Sequence, residues 1–404
     1  MTSSELYHGF GLACYRTVRT WFEQGRIIEE VESTRPLRCS QCKSLHVIGR
    51  GRFVRDFKAP PIGSKPVIIR YGVPRVECRR CGAVRQVRVE FASARRSYTK
   101  SFERFVLRML QFATIKDVAQ WLRVSWDTVK DIAKRRLVRR FAKPRLKGVR
   151  RIAIDEIAVR KGQRYLTLVL NLDSGAVVFV GNGKGAEALE PFWRRVRRCK
   201  QCKIRSVATD MSAAYIEAVT THQSEATLVF DRFHIMQLAN KMLTSLRRAL
   251  YRELSEQCAR NVLKGVRWLL LKHPENLDDA KNEKQRLQQA LELNTPLATA
   301  YYMTDELRLF WQKPHKQQAE RFLLDWIRRA EATGIRPLNK LAKTLASHRT
   351  GILAWYDDPI STGPLEGVNN KIKTLKRQAY GYRDTEFFKL RIMAIHETKY
   401  ALVG

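Results

Sequence analysis

The sequence predicts an α/β protein: a mixed five-stranded sheet with flanking helices, interrupted by an all-helical insertion and preceded by two small N-terminal modules. Three observations predict it. From residue 151 to residue 175 apolar and polar residues alternate at period two in two runs broken at Lys161-Gly162-Gln163, and a third, apolar run at 176–180 follows Asp173-Ser174-Gly175, the pattern of consecutive antiparallel strands. Two later apolar runs, 204–209 and 227–230, each reach an aspartate and each lead into helical periodicity. From about residue 240 to 348 only helical patterns occur, and strands do not resume.

Composition bounds the rest. A chain of 404 residues with 44% hydrophobic residues is long enough for two to four domains and a substantial core. No run of 18 apolar residues suggests a membrane span, and the first residues lack the basic and apolar regions of a signal peptide. Lys and Arg number 76 against 39 Asp and Glu, a net charge of +37. An excess that large on a folded chain points to a polyanion, and nucleic acid fits it best. Of eight cysteines, six fall in CxxC pairs; in a chain read as cytoplasmic this favours metal over disulfides.

In chain order, residues 1–30 read as a helical lead-in. Residues 31–92 hold two knuckles, Cys39/Cys42 and Cys78/Cys81, the donor set of one structural Zn²⁺ in a zinc ribbon with a hairpin inserted around Ala59-Pro60-Pro61-Ile62-Gly63. Residues 93–147 turn helical. Thr114 and Ser125 are N-caps, and Ala119, Leu122, Val129, Ile132 and Ala133 have the inward spacing of a helix-turn-helix, an ordinary helical hairpin being the alternative. Trp126, Lys130 and Lys134 then face outward, toward a major groove. Residues 134–151 carry ten basic side chains and no acid, Arg139, Arg140 and Lys143 among them, and read as a linker that contacts phosphate.

The α/β core begins at 148 and runs to 240, is interrupted by the helical insertion at 241–348, and ends with helices over 349–404. Its order, β-β-β-α-β-α-β-α, is that of an RNase H-like fold. Asp155 stands in the middle of the first strand, where a carboxylate is costly unless a cation or hydrogen bonds meet it. Asp210 ends the fourth strand. A helix opened by Ser361-Thr362-Gly363-Pro364 carries Glu366, Asn370 and Lys373 on one face. Three carboxylates from separate rigid elements are what a pair of Mg²⁺ (or Mn²⁺) ions needs for phosphodiester chemistry, one ion activating the attacking oxygen and the other stabilising the leaving oxygen. Glu156 and Glu217 point away by alternation and helical phase, and Asp173 belongs to a turn. Cys199 and Cys202 read as a basic turn rather than a metal site.

The chain resembles bacterial insertion-sequence transposases of the zinc-ribbon DDE class, the ISL3 family. The resemblance runs nearly end to end, through the cysteine knuckles, the helix-turn-helix, AIDEIAVRKGQRYLT, VATDMSAAY, VFDRFHIMQLAN and PLEGVNNKIKTLKRQAYGYRD. It implies that Asp155, Asp210 and Glu366 are catalytic. It also likens Asp231 and His234 to an element that follows the second acid in several transposase groups, which makes them further catalytic candidates, a fold-capping hydrogen bond being the alternative. Further implications are double-stranded DNA as partner (terminal inverted repeats and target), a homodimer or higher oligomer on DNA, no membrane, and a cytoplasmic, nucleoid-associated location. The alternatives are a DNA-binding regulator with an inert core and a structure-selective nuclease on the same fold.

Overall fold

The computed structural model describes residues 3–160, 164–254 and 257–397, so the expected turn at Lys161-Gly162-Gln163 lies outside the described residues. The chain divides into two compact units, one of residues up to Ala142 and one spanning Lys143–His396.

The first unit opens with helix α1 (Ser3–Phe10), but the expected helical lead-in stops there. Residues Tyr15–Glu23 (β1) and Arg26–Ser33 (β2) form an antiparallel hairpin instead. The reason lies in the composition: Thr17, Val18, Thr20, Trp21, Phe22, Ile27, Ile28 and Val31 are β-branched or aromatic, and these favour a pleated surface over a helix. Strands β3 (Val47–Ile62) and β4 (Lys65–Cys78) form a long hairpin whose turn contains Gly63 at φ +57°. Strand β5 (Val84–Gln86) pairs with β4, and the sheet order is β1-β2-β4-β3, with β2 parallel to β4. Phe10, Tyr15, Ile27, Phe57, Ile69, Tyr71 and Phe91 fill its core.

Three helices complete the unit: α2 (Lys100–Met109), α3 (Ile115–Trp121) and α4 (Trp126–Phe141). Thr99, Thr114 and Ser125 cap them, each side chain accepting a backbone N–H of the first turn, and Thr114 with Asp117 forms a capping box. Val118, Ala119, Leu122, Val129 and Ile132 are buried together, as the spacing predicts. The expected linker is different from its reading. Residues up to Phe141 continue α4, so half of the ten-cation tract is helix.

The second unit is built on β6 (Arg151–Arg160), β7 (Arg164–Asn171) and β8 (Ala176–Asn182), an antiparallel meander. Helix α5 (Ala186–Arg198) leads to β9 (Ser206–Thr209), and helix α6 (Ala213–His222) to β10 (Thr227–Phe230). The five-stranded sheet runs β10-β9-β6-β7-β8, with β9 parallel to both β6 and β10. Ile152 and Ile154 face Leu189, Phe192 and Trp193 of α5 and Tyr215, Ala218 and Val219 of α6. Alternation therefore turns Ala153, Asp155 and Ile157 to the opposite face.

The long helix α7 (Arg232–Glu253) starts directly after β10. It continues into α8 (Gln257–Gly265), α9 (Glu283–Glu292), α10 (Thr295–Leu307), α11 (Lys316–Ala332), α12 (Arg336–Ser347) and α13 (Arg349–Leu353). These helices share one apolar core that includes Leu243, Leu297, Phe310, Trp326 and Leu345. Helix α14 (Gly363–Gln378) returns to pack on β6, and α15 (Thr385–Met393) packs on β8. Among the described residues no helix is long and apolar enough to cross a membrane.

Candidate active site and metal centres

Sheet register brings two of the acids together. Parallel pairing sets Ala153 of β6 beside Ala208 of β9. Asp155 stands two residues beyond the first and Asp210 two beyond the second, so both side chains are set on the same face of neighbouring strands about 4.8 Å apart. Ala153 and Ala208 are fully buried on that face, and their small size leaves room for α14.

Asp155 is held at both oxygens. Its Oδ1 accepts the Glu156 backbone N–H at 2.7 Å, and its Oδ2 accepts from Asn369 Nδ2 of α14 at 2.9 Å. Burial pushes its carboxyl above the usual carboxylate range. The Glu156 N–H and His234 pull it down, whereas the charges of Asp210 and Glu156 push it up. His234 and Asp210 are thus close enough to bias Asp155. Asp210 Oδ1 accepts the Ser212 N–H at 3.0 Å. Glu156 lies on the other face, its Oε2 accepting the Tyr215 hydroxyl at 2.9 Å, which agrees with the alternation argument.

Glu366 is exposed one helical turn before Asn369. Residues three apart on a helix have Cβ atoms about 5–6 Å apart, so the contact of Asn369 with Asp155 brings Glu366 to the edge of the same site. Asn370 and Lys373 share its exposed face, while Leu365, Val368, Ile372 and Leu375 face inward. Asp231, 2% exposed, accepts the Thr362 hydroxyl at 2.5 Å. The Thr362 carbonyl in turn accepts the Glu366 N–H at 3.1 Å. The carboxylate of Asp231 is therefore spent on the residue that begins α14, and His234 sits one turn into α7.

The sequence reading missed Asn369. The signal was present, because a polar residue at the phase of Leu365, Val368 and Ile372 is an inward position and needs a polar partner. It also missed Glu103, 7% exposed, which accepts from Arg139 at 2.6 Å and Arg135 at 3.2 Å. Arg139 is therefore tied into the helix-turn-helix. Trp126 is half exposed with the Lys130 ammonium 5.3 Å from its ring centroid, Lys134 is half-buried, and Arg140 and Lys143 are exposed.

The four knuckle cysteines place their sulfurs within 4.8 Å of one another. Cys39 and Cys81 are 3.7 Å apart and Cys42 and Cys78 3.5 Å. A tetrahedron with metal–sulfur bonds of about 2.3 Å has edges of about 3.8 Å, so the cluster has the size of a zinc site. Each knuckle reverses through a left-handed residue directly after its second cysteine, Lys43 at φ 66° and Gly82 at φ 67°. Backbone amides of Cys42 and Gln41 lower the Cys39 thiol to about 6, whereas the neighbouring thiols and burial push Cys81 up to about 11, so the four thiols share their protons unequally. Among the described residues no other group of three or more ligand-type side chains is that tight, so Asp155, Asp210 and Glu366 are more widely spaced. Their donors are all hard oxygens, the chemistry of a Mg²⁺ or Mn²⁺ site.

Residues 152–392 match a family model described as a transposase, of the ISL3 type, and residues 87–137 match the helix-turn-helix domain of transposase family ISL3. The chain is 32% identical over 357 residues to the transposase for insertion sequence element IS1001 of Bordetella parapertussis, covering 88% of this chain and 86% of that one. It is 27% identical over 379 residues to the transposase for insertion sequence element IS1557 of Mycobacterium tuberculosis (strain CDC 1551 / Oshkosh), covering 86% and 83%.

Proposed function

The chain belongs to the ISL3 family of insertion-sequence transposases, enzymes that cleave DNA and transfer strands, and on that premise we propose that Asp155, Asp210 and Glu366 form its catalytic centre on an RNase H-like core. One observation carries the reading: β6–β9 register sets Asp155 and Asp210 on one face, and α14, the helix of Glu366, reaches that face through Asn369. The strand order β10-β9-β6-β7-β8, an antiparallel meander with two parallel strands added beside β6, supports the RNase H-like assignment.

The family implies a divalent metal. Two Mg²⁺ (or Mn²⁺) ions are the proposed occupants, held by Asp155, Asp210 and Glu366, where they would activate the attacking oxygen and neutralise the leaving one. The rest is done by the chain. Asn369 and the Glu156 N–H fix the Asp155 carboxylate, and Asp231 fixes the start of α14 through Thr362. His234, beside Asp155, favours its ionised form and lines the path of the scissile strand. One structural Zn²⁺ on Cys39, Cys42, Cys78 and Cys81 holds the ribbon.

The helix-turn-helix and the family imply DNA binding. Trp126, Lys130 and Lys134 of α4 are the proposed groove contacts, with Arg140, Lys143, Asn370 and Lys373 on phosphate. The partners are the element's terminal inverted repeats and target DNA, the acting form is a homodimer or higher oligomer with one site per end, and the location is the bacterial cytoplasm at the nucleoid. The test is cleavage and joining of end-containing DNA in Mg²⁺. If the Asp155→Asn protein retains either step, the assignment fails.

A further inference from the structure

Asn369 is 8% exposed on α14, and its two polar atoms have different fates. Nδ2 donates to Asp155 Oδ2 at 2.9 Å, whereas Oδ1 is buried with no hydrogen-bond partner. The amide cannot simply be turned over. An ionised carboxylate only accepts, so the NH₂ end must face Asp155, and Oδ1 is thereby directed away from it. Buried amide oxygens without a donor are uncommon in folded chains, and one beside a functional carboxylate calls for an explanation. Asp155 already accepts one proton at each oxygen, from Glu156 N–H and from Asn369, leaving one further lone pair on each for a cation. A hard cation such as Mg²⁺ retains part of its hydration shell, and those waters need acceptors.

We propose that Asn369 is a positioning residue of the metal site: Nδ2 locks the Asp155 carboxylate in one rotamer, and Oδ1 accepts a proton from a water on the cation that Asp155 binds. This rests on the reading of Asp155 as a metal ligand. It makes one turn of α14 carry both a ligand, Glu366, and the residue that orients a second ligand on β6. It also explains why α14 turns an amide inward among Leu365, Val368, Ile372 and Leu375, where an apolar side chain would pack as well but leave Asp155 Oδ2 without its donor.

The experiment measures Mn²⁺ binding to the full-length protein without DNA, by electron paramagnetic resonance, for the wild type and for Asn369→Leu, Asn369→Ala and Asp155→Asn. Partners of metal ligands typically change affinity by about 10–100-fold. Asn369→Leu and Asn369→Ala should weaken Mn²⁺ binding by that amount and leave binding of end-containing DNA unchanged. Raising Mg²⁺ should restore much of their lost cleavage, which it would not do for a helix that had merely come loose. Asn369→Ala, which removes volume rather than adding it, covers the case in which leucine does not fit. Wild-type Mn²⁺ affinity in both Asn369 variants, with affinity lost in Asp155→Asn, overturns the proposal alone. Unchanged Mn²⁺ binding in Asp155→Asn overturns the reading on which it rests.

Discussion

The two proposed metal regions of this chain are built in opposite ways. The cysteine cluster is local and closed: two knuckles, each with a left-handed residue behind it, meet where β3 and β4 pair through Val47 and Cys78. Its four sulfurs lie within 4.8 Å of one another. The acids come from three distant segments, are set by sheet register and one helix contact, and leave their oxygens further apart. A closed four-ligand site has no position for a substrate and can only hold structure. An open, oxygen-lined one keeps positions for attacking and leaving groups. The fold enforces the first geometry through the backbone and the second through the packing of α14 on β6.

The largest effects should fall on the open site and leave the fold alone. Asp155→Asn, Asp210→Asn and Glu366→Gln each remove one charge while keeping shape. Cleavage and joining should both drop below detection, because one metal site serves both steps. Binding to element ends should persist, since none of these side chains is in the helix-turn-helix. Glu156→Gln is the control: it faces Tyr215 on the opposite side of the sheet, and its amide oxygen can still accept that hydroxyl. Loss of cleavage in Glu156→Gln with activity kept in Asp155→Asn would mean that the functional face of β6 has been misassigned.

The closed site should respond the other way. Cys39→Ser removes a buried thiolate donor, so zinc content should fall from about one per chain toward zero, and recognition of ends should go with it. Metal binding to such sites is coupled to folding, so the loss should appear as weakened protection of the knuckle amides in hydrogen exchange, while the second unit keeps its melting behaviour. Zinc near zero in the purified reduced wild type would remove the contrast altogether.

How much of this was readable in the sequence follows the same division. The cysteine knuckles are local signals at fixed spacing, and Asp155, Asp210 and Glu366 were marked by their places on a strand, a strand end and a helix with proline in its first turn. Register and side-chain pairing were not readable, because they depend on which strands become neighbours. That Asp155 and Asp210 share a face needs the Ala153–Ala208 pairing, and that Asp231 anchors Thr362 needs two segments 131 residues apart to meet. The lead-in failed for a simpler reason. A short helix at Ser3–Phe10 hid the change from helical to alternating pattern at Tyr15, where a cluster of β-branched and aromatic residues begins.

The basic tract sharpens the comparison, because it too divides, into side chains that a buried acid holds and exposed side chains that this acid does not reach. Arg135 and Arg139 both meet the buried Glu103. Arg139→Met leaves Arg135 in place, and its guanidinium is mostly solvated, so urea unfolding should detect a loss of only about 1 kcal/mol. Replacing both leaves a buried carboxylate without a partner and should cost about 3 kcal/mol. If the double variant is as stable as the wild type, Glu103 is not the anchor its geometry indicates.

The smallest effect concerns the exposed cations that Glu103 does not hold. Non-specific DNA affinity falls with salt by a log–log slope of about −0.9 per phosphate contacted. Arg140 and Lys143 are exposed beyond the part of α4 that Glu103 holds. Arg140→Gln with Lys143→Gln should therefore flatten the slope by about two units. Arg139→Met should move the slope by less than one unit, since its charge already faces a carboxylate. An equal change for Arg139 and Arg140 would mean that the ion pair with Glu103 opens on DNA, and that the cations Glu103 holds lie nearer the start of α4 than residue 139.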